Sequence, residues 1–161
     1  MNQSHPFPPP VPPGVIRQAT PHDAAIIEGL YRDLVTDPGI HVLPAQLAAM
    51  AASPNSFLLV VEVDGAVCAT ALLNLCADAM YRAQPFGVIE NVVVDPQMRG
   101  WGLGRLLIGH IERLAAEHHC TKLMLLSNHS RQEAHAFFQR CGFSSDTKHA
   151  FVKYRRQFAV P

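Results

Sequence analysis

The chain lacks an excess of either charge: 13 Lys and Arg stand against 13 Asp and Glu, for a formal net charge of zero. A balanced chain offers no broad electrostatic footprint for nucleic acid or for an anionic membrane, so neither is expected as a partner. No apolar run reaches the roughly 18 residues of a membrane-spanning helix, and the N-terminus lacks the charged and apolar segments of a secretory signal. The expected location is the cytoplasm. Cysteines are few, and Cys68, Cys76, Cys120 and Cys141 have no zinc-type spacing. In a reducing compartment they read as small apolar residues rather than disulfides. His118-His119-Cys120 gathers ligand-type side chains, but adjacent helical residues point in different directions and no second ligand pair follows, so no metal is expected. No internal repeat is visible.

Proline is concentrated at one end. Positions 6, 8, 9, 10, 12 and 13 are proline, and Met1 to Pro13 has little to bury, so it reads as a disordered or polyproline-like tail. Residues 14–157 are expected to form a single domain, and 161 residues at 48% hydrophobic suffice for a core.

Val15 to Gln18 reads as a short strand. Thr20-Pro21-His22-Asp23 supplies an N-cap, a first-turn proline and an acidic residue near the dipole. The helix it opens shows a stripe of Ile27, Leu30, Tyr31 and Leu34, and Asp37-Pro38-Gly39 ends it. Pro44 to Ala52 is a second, shorter helix. Phe57 to Val63 and Ala66 to Leu75 are apolar, β-branched runs joined by Asp64-Gly65, a two-residue hairpin turn. After an irregular stretch from Cys76 to Pro85, Gly87 to Val94 completes the meander. Its apolar residues continue on both parities, which predicts a central strand covered on both faces, interrupted at Glu90 and Asn91. A buried, unpaired carboxylate or amide costs several kcal/mol, so the interruption needs hydrogen-bond partners or a cleft.

That strand runs through Asp95-Pro96-Gln97-Met98-Arg99-Gly100-Trp101-Gly102-Leu103-Gly104-Arg105 into a helix whose apolar face is Leu103, Leu106, Leu107, Ile111, Leu114 and Ala115. The opening amides of a helix lack internal acceptors and carry the positive end of the macrodipole, so a pyrophosphate fits there. Alternate glycines let it approach the backbone. The dinucleotide fingerprint would need a glycine where Arg105 stands, and no Gly-Lys-Ser/Thr follows for a P-loop. Downstream, Lys122 to Ser127 reads as a buried strand, and Ser130 with Glu133 as a capping box. Ala134, Phe137, Phe138 and Cys141 share a helical face that Gly142 ends, and Phe143 to Tyr154 reads as terminal strand material.

The motif Arg99-x-x-Gly102-x-Gly104 after Val92-Val93-Val94-Asp95-Pro96 resembles the acyl-CoA pyrophosphate loop of the GNAT superfamily of N-acetyltransferases. Glu133 to Phe143, EAHAFFQRCGF, resembles that family's closing signature. The resemblance runs from about Val15 to Tyr154. It implies an α/β fold of mixed, α+β character, with a central, mostly antiparallel sheet and helices on both faces. It also implies acetyl-CoA as cosubstrate and direct acetyl transfer to a primary amine of a small molecule, with a homodimer as a family habit. The cofactor contacts it implies are Val92, Val93 and Val94 on the strand, then Arg99, Gly100, Trp101, Gly102, Leu103, Gly104 and Arg105 in the loop. Asn128, Arg131, Ala134, Phe137 and Phe138 would complete them. Glu90 is the expected catalytic base or, alternatively, a structural acceptor; Glu90, Asn91, Tyr81 and Arg82 are expected to meet the substrate. An alkylammonium with a pKa of about 10.4 must lose a proton before its lone pair can attack a thioester, which is why a base is needed. Backbone N–H groups near Val93 would stabilise the developing oxyanion.

The chain departs from the signature at two places. The tyrosine that commonly protonates the departing thiolate is Phe138, and a recurrent asparagine is Arg131. A basic residue at the latter position resembles small-molecule enzymes such as those for aminoalkylphosphonates, while Ile89 to Val94 resembles the glucosamine-phosphate enzymes. The alternatives are a non-catalytic acyl-CoA-binding sensor or interaction module, motivated by Phe138, and a protein or peptide amine acetyltransferase.

Overall fold

The computed structural model describes residues 14–159, so the proline-rich segment Met1 to Pro13 lies outside the described residues. They divide into two compact units, one ending at Leu125 and one starting at Leu126.

The first unit is a five-stranded sheet in the order β1 to β5. Strands β1 (Val15–Gln18), β2 (Ser56–Val63), β3 (Ala66–Cys76) and β4 (Phe86–Val94) pair antiparallel in sequence, and β5 (Leu123–Leu125) joins β4 in parallel. The β2–β3 turn has positive φ at Asp64 and Gly65, 50° and 79°, as a two-residue hairpin of matching twist demands. Helices α1 (Ala24–Leu34) and α2 (Pro44–Ala51) precede β2, and α3 (Leu103–Glu117) makes the β4-to-β5 crossover that a parallel pair requires.

Cross-strand partners share a face, so the pairs Leu58 with Leu72 and Val60 with Thr70 define one side of the sheet. Ile27 of α1 and Leu47 of α2 pack there against Leu58 and Val60. The opposite side carries Leu59, Val61 and Leu73, all buried. A Cβ on Gly14 would lie 2.9 Å from Val61 and 3.1 Å from Leu106, which sets α3 on this second side. Helices therefore cover both faces, as expected. Of the α3 stripe, Leu103, Leu107, Ile111 and Ala115 are buried, Ile108 joins them, and Leu106 stays partly exposed.

The Thr20 to Asp23 opening forms a 3-10 turn, Pro21–Asp23, ahead of α1. Asp23 is buried, yet its carboxylate accepts the Thr20 N–H at 2.7 Å, the Thr20 hydroxyl at 3.0 Å and two Arg17 N–H groups at 2.7 and 2.9 Å. The Arg17 bonds hold its carboxyl well below the usual carboxylate range. Thr70, the other buried polar residue among those described, donates to the Leu59 carbonyl at 2.8 Å. All four cysteines are free. No helix among the described residues is long and apolar enough to cross a membrane.

Four expectations are corrected. The strand expected over Lys122 to Ser127 spans only Leu123–Leu125, and Met124 and Leu126 are exposed rather than buried. In the second unit, α4 spans Gln132–Arg140 with Arg131 as N-cap. The Ser130–Glu133 capping box does not form, because the Ser130 hydroxyl and N–H both bond to Asn128 Oδ1, at 2.8 and 3.0 Å. Phe143 to Tyr154 contains no strand. There the short polar side chains bond locally, Ser144 to Asp146 and Gln139 to Ser145, while Phe151 is 94% exposed, so the segment has neither a ladder nor a buried face.

Candidate functional site

The interruption at Glu90 and Asn91 is a β-bulge. Thr70 pairs with Val93 and Leu72 with Glu90, so Asn91 and Val92 together oppose Ala71 alone. Asn91 adopts φ +54°, a left-handed conformation that asparagine tolerates better than most residues. The pairing of β4 with β5 ends at Ile89. From Glu90 to Val94 the backbone edge facing away from β3 therefore has no partner among the described strands. The expectation of a central strand, with a neighbour at each edge, holds for its first half only.

Beyond Val94 the chain turns sharply. The Asp95 side chain accepts the Gln97 N–H at 2.8 Å, Asp95 N–H bonds to the Cys68 carbonyl at 2.8 Å, and a 3-10 turn spans Pro96–Met98. Arg99 Nε donates to the Val94 carbonyl at 3.3 Å, bracing the turn. Gly100 and Gly102 have φ of +83° and +82°, and a Cβ at either would meet nothing within 4 Å. Side chains are excluded there by backbone conformation rather than by crowding, and the open space lies at the mouth of α3. Gly102 is the helix N-cap and its carbonyl accepts the Leu106 N–H at 3.0 Å, so the first turn points its amides into that space. Trp101 is half-buried within the loop, and Gly104 and Arg105 lie in the first helical turn.

On the α1–α2 side of the sheet a cavity of about 270 Å³ is bounded by Tyr31, by the α1–α2 connection and α2 from His41 to Met50, and by Leu58, Leu72 and Asn91. Glu90 is the cross-strand partner of Leu72, so its side chain leaves the sheet on this same face, although it is not one of the residues that bound the cavity. Asn91 bonds to the Tyr31 hydroxyl, and burial pushes that phenol above its ordinary value, so it remains protonated at neutral pH. The bulge thus has a cavity on one side of it and the glycine loop a few residues ahead.

Tyr81 and Arg82 fall on an exposed turn before β4, with Arg82 at φ +61°, and neither lines the cavity. The remaining expected contacts belong to the second unit. Asn128 accepts the Ser130 bonds, and its carbonyl meets His135 Nε2 at 2.9 Å. Arg131 caps α4, and Ala134 is half-buried on it. Phe137 and Phe138 stack edge to face at 5.1 Å, and Phe138 meets Phe143 at 6.0 Å. Phe138 is thus held in an aromatic cluster. The cavity walls leave little mark in the sequence: Tyr31 falls on the apolar stripe of α1, and nothing around His41 or Gln46 signals a site.

The sequence model of the Acetyltransferase (GNAT) family matches residues 27–143. The aminoglycoside N(6')-acetyltransferase type 1 of Stenotrophomonas maltophilia is 29% identical over 144 residues, 86% of this chain and 91% of that one. Among solved structures, a chain from Agrobacterium tumefaciens str. C58 described as a candidate acetyltransferase is 32% identical with a TM-score of 0.76, covering 87% of this chain and 99% of that one. The glucosamine-6-phosphate N-acetyltransferase of Arabidopsis thaliana is 21% identical with a TM-score of 0.74, covering 89% and 99%, a likeness of fold.

Proposed function

The chain belongs to the GNAT family of acetyltransferases, and on that premise we propose that it moves the acetyl group of acetyl-CoA directly onto a primary amine of a small molecule. The observation that carries this reading is the continuity of β4: a backbone edge from Glu90 to Val94 that no described strand covers leads into a glycine loop with open space at a helix mouth. An extended pantetheine arm can add to such an edge as a strand does, through Val92, Val93 and Val94, while the pyrophosphate meets the amides of Gly102, Leu103 and Gly104. Arg99 and Arg105 bring positive charge to the same loop.

Acetyl-CoA supplies the activated acyl carbon as a thioester. The cavity holds the acceptor with its nitrogen near the bulge. Glu90 takes a proton from the ammonium, directly or through water, the freed lone pair forms the C–N bond as the C–S bond breaks, and the nitrogen sheds its second proton to water as the neutral amide forms. Amides near Val93 meet the developing oxyanion. Phe138 has no proton to give, so the thiolate, from a thiol with a pKa of about 8.5, leaves as an anion or is protonated by water. A cavity of this size, bounded by α1, α2 and the sheet and open to solvent on one side, supports a small acceptor.

A thiol-release assay with acetyl-CoA against a panel of amines, paired with calorimetry for acetyl-CoA, tests the proposal. Turnover of a small amine is expected. Binding without turnover on any amine at several pH values would overturn it.

A further inference from the structure

At the solvent-exposed rim of the cavity stands a held histidine, its side chain 71% exposed. His41 Nδ1 lies 3.0 Å from Glu28 Oε2, and the same carboxylate accepts the Val42 N–H at 2.9 Å and pairs with Arg32 at 2.6 Å. The Val42 bond, with His41 and Arg32, holds the Glu28 carboxyl below its usual range, so it is an anion at neutral pH. A carboxylate only accepts, so Nδ1 carries the proton, and in the neutral ring Nε2 is left with its lone pair. Glu28 is not part of the cavity wall, whereas His41 is. Arg32 is spent on Glu28 outside the cavity, and no described lining residue is Lys, Arg, Asp or Glu. The remaining polar groups of the wall are Tyr31, Gln46 and Asn91, set among apolar side chains.

We propose that His41, oriented by Glu28, is the specificity-determining acceptor contact: its Nε2 accepts a hydrogen bond from a hydroxyl or second ammonium of the amine. A wall without lysine or arginine offers a phosphate dianion no permanent cation, so the acceptor class is a hydroxylated, non-phosphorylated amine. This rests on the acetyl-transfer reading above. Glu28 acts only through His41 and is a positioning residue.

The test uses the full chain with glucosamine, glucosamine 6-phosphate, an aminoglycoside and an alkylamine without hydroxyls. His41→Leu is expected to raise KM about tenfold for the best hydroxylated amine at unchanged kcat, and to leave the alkylamine's KM unmoved. Glu28→Ala should reproduce that pattern. His41→Gln and Glu28→Gln, which keep an accepting oxygen in reach, should recover part of the loss. The phosphorylated sugar should be the poorer substrate of its pair. An equal loss on the alkylamine, an unchanged KM in His41→Leu, or a preference for the phosphorylated sugar overturns the inference. Calorimetric titration of the same amines reads the contact without turnover. A panel that is never acetylated but binds in a His41-dependent way overturns acetyl transfer alone; turnover with His41-independent binding overturns the His41 contact alone.

Discussion

Replacing Gly102 by alanine, asparagine and aspartate separates three effects at one atom position. Its φ of +82° costs an L-residue about 1–2 kcal/mol, and because a Cβ meets nothing within 4 Å there is no steric addition to that cost. Gly102→Ala should therefore fold with a modest loss of stability. Asparagine tolerates the left-handed conformation better, so Gly102→Asn places a bulky neutral side chain in the loop at a smaller backbone cost. Gly102→Asp has the same shape and a negative charge. If a pyrophosphate oxygen sits about 4 Å away, the repulsion is about 4 kcal/mol at an effective dielectric constant of about 20, or roughly 10³ in Kd. Calorimetry with acetyl-CoA should rank wild type, asparagine and aspartate, with the last step far larger than the first and shrinking as salt is added. Equal affinity for the asparagine and aspartate variants, with melting curves showing both folded, would remove the phosphate from the loop.

Glu90→Gln keeps the side chain's shape and removes the base, so kcat should fall by roughly 10² or more at neutral pH and recover in part at high pH as free amine accumulates, measured by thiol release. Full activity across the pH range would make Glu90 structural. Phe138→Tyr should leave circular dichroism unchanged and either raise kcat or leave it as it is; a fall in kcat would contradict this expectation. Asp23→Asn should cost about 2–3 kcal/mol in urea unfolding at pH 7, since it breaks a charge-assisted bidentate bond at a buried carboxylate. The native carboxyl is depressed, so its contribution is complete above about pH 4 and lost as pH falls toward the native value; the gap between wild type and variant should close on acidification.

The sheet was legible because its signals are local. Alternating apolar runs, the Asp64-Gly65 turn and the glycines before Leu103 each act within a few residues, and β1 to β4 and α2 lie within one residue of expectation at each end. The interruption at Glu90 and Asn91 was legible as an anomaly, whereas its form as a bulge depends on which residues of β3 lie opposite. The cavity was illegible for the same reason. Glu28 and His41 are 13 positions apart across a loop, and the bond between them leaves no periodic trace. The C-terminal stretch failed as a strand because Phe151, Val152 and Tyr154 look like a buried run only if something covers them, and all three are exposed among the described residues.

The extra residue in β4 also changes the strand's reading frame. Ahead of it, even-numbered Val88 and Glu90 oppose Asn74 and Leu72; beyond it, odd-numbered Val93 opposes Thr70, which shares a side with Leu72. A strand that switches frame midway must be apolar at both even and odd positions to stay covered, and Val88 to Val94 is so on either side of Glu90 and Asn91. Deleting Asn91 would restore one uninterrupted frame and a straight ladder. The fold would gain hydrogen bonds by that edit, and the cavity would lose the side chain that bonds Tyr31. The irregularity persists as a length of chain, one residue too many for the sheet, so a shorter homologue aligned by its valines alone would look conserved while lacking the site.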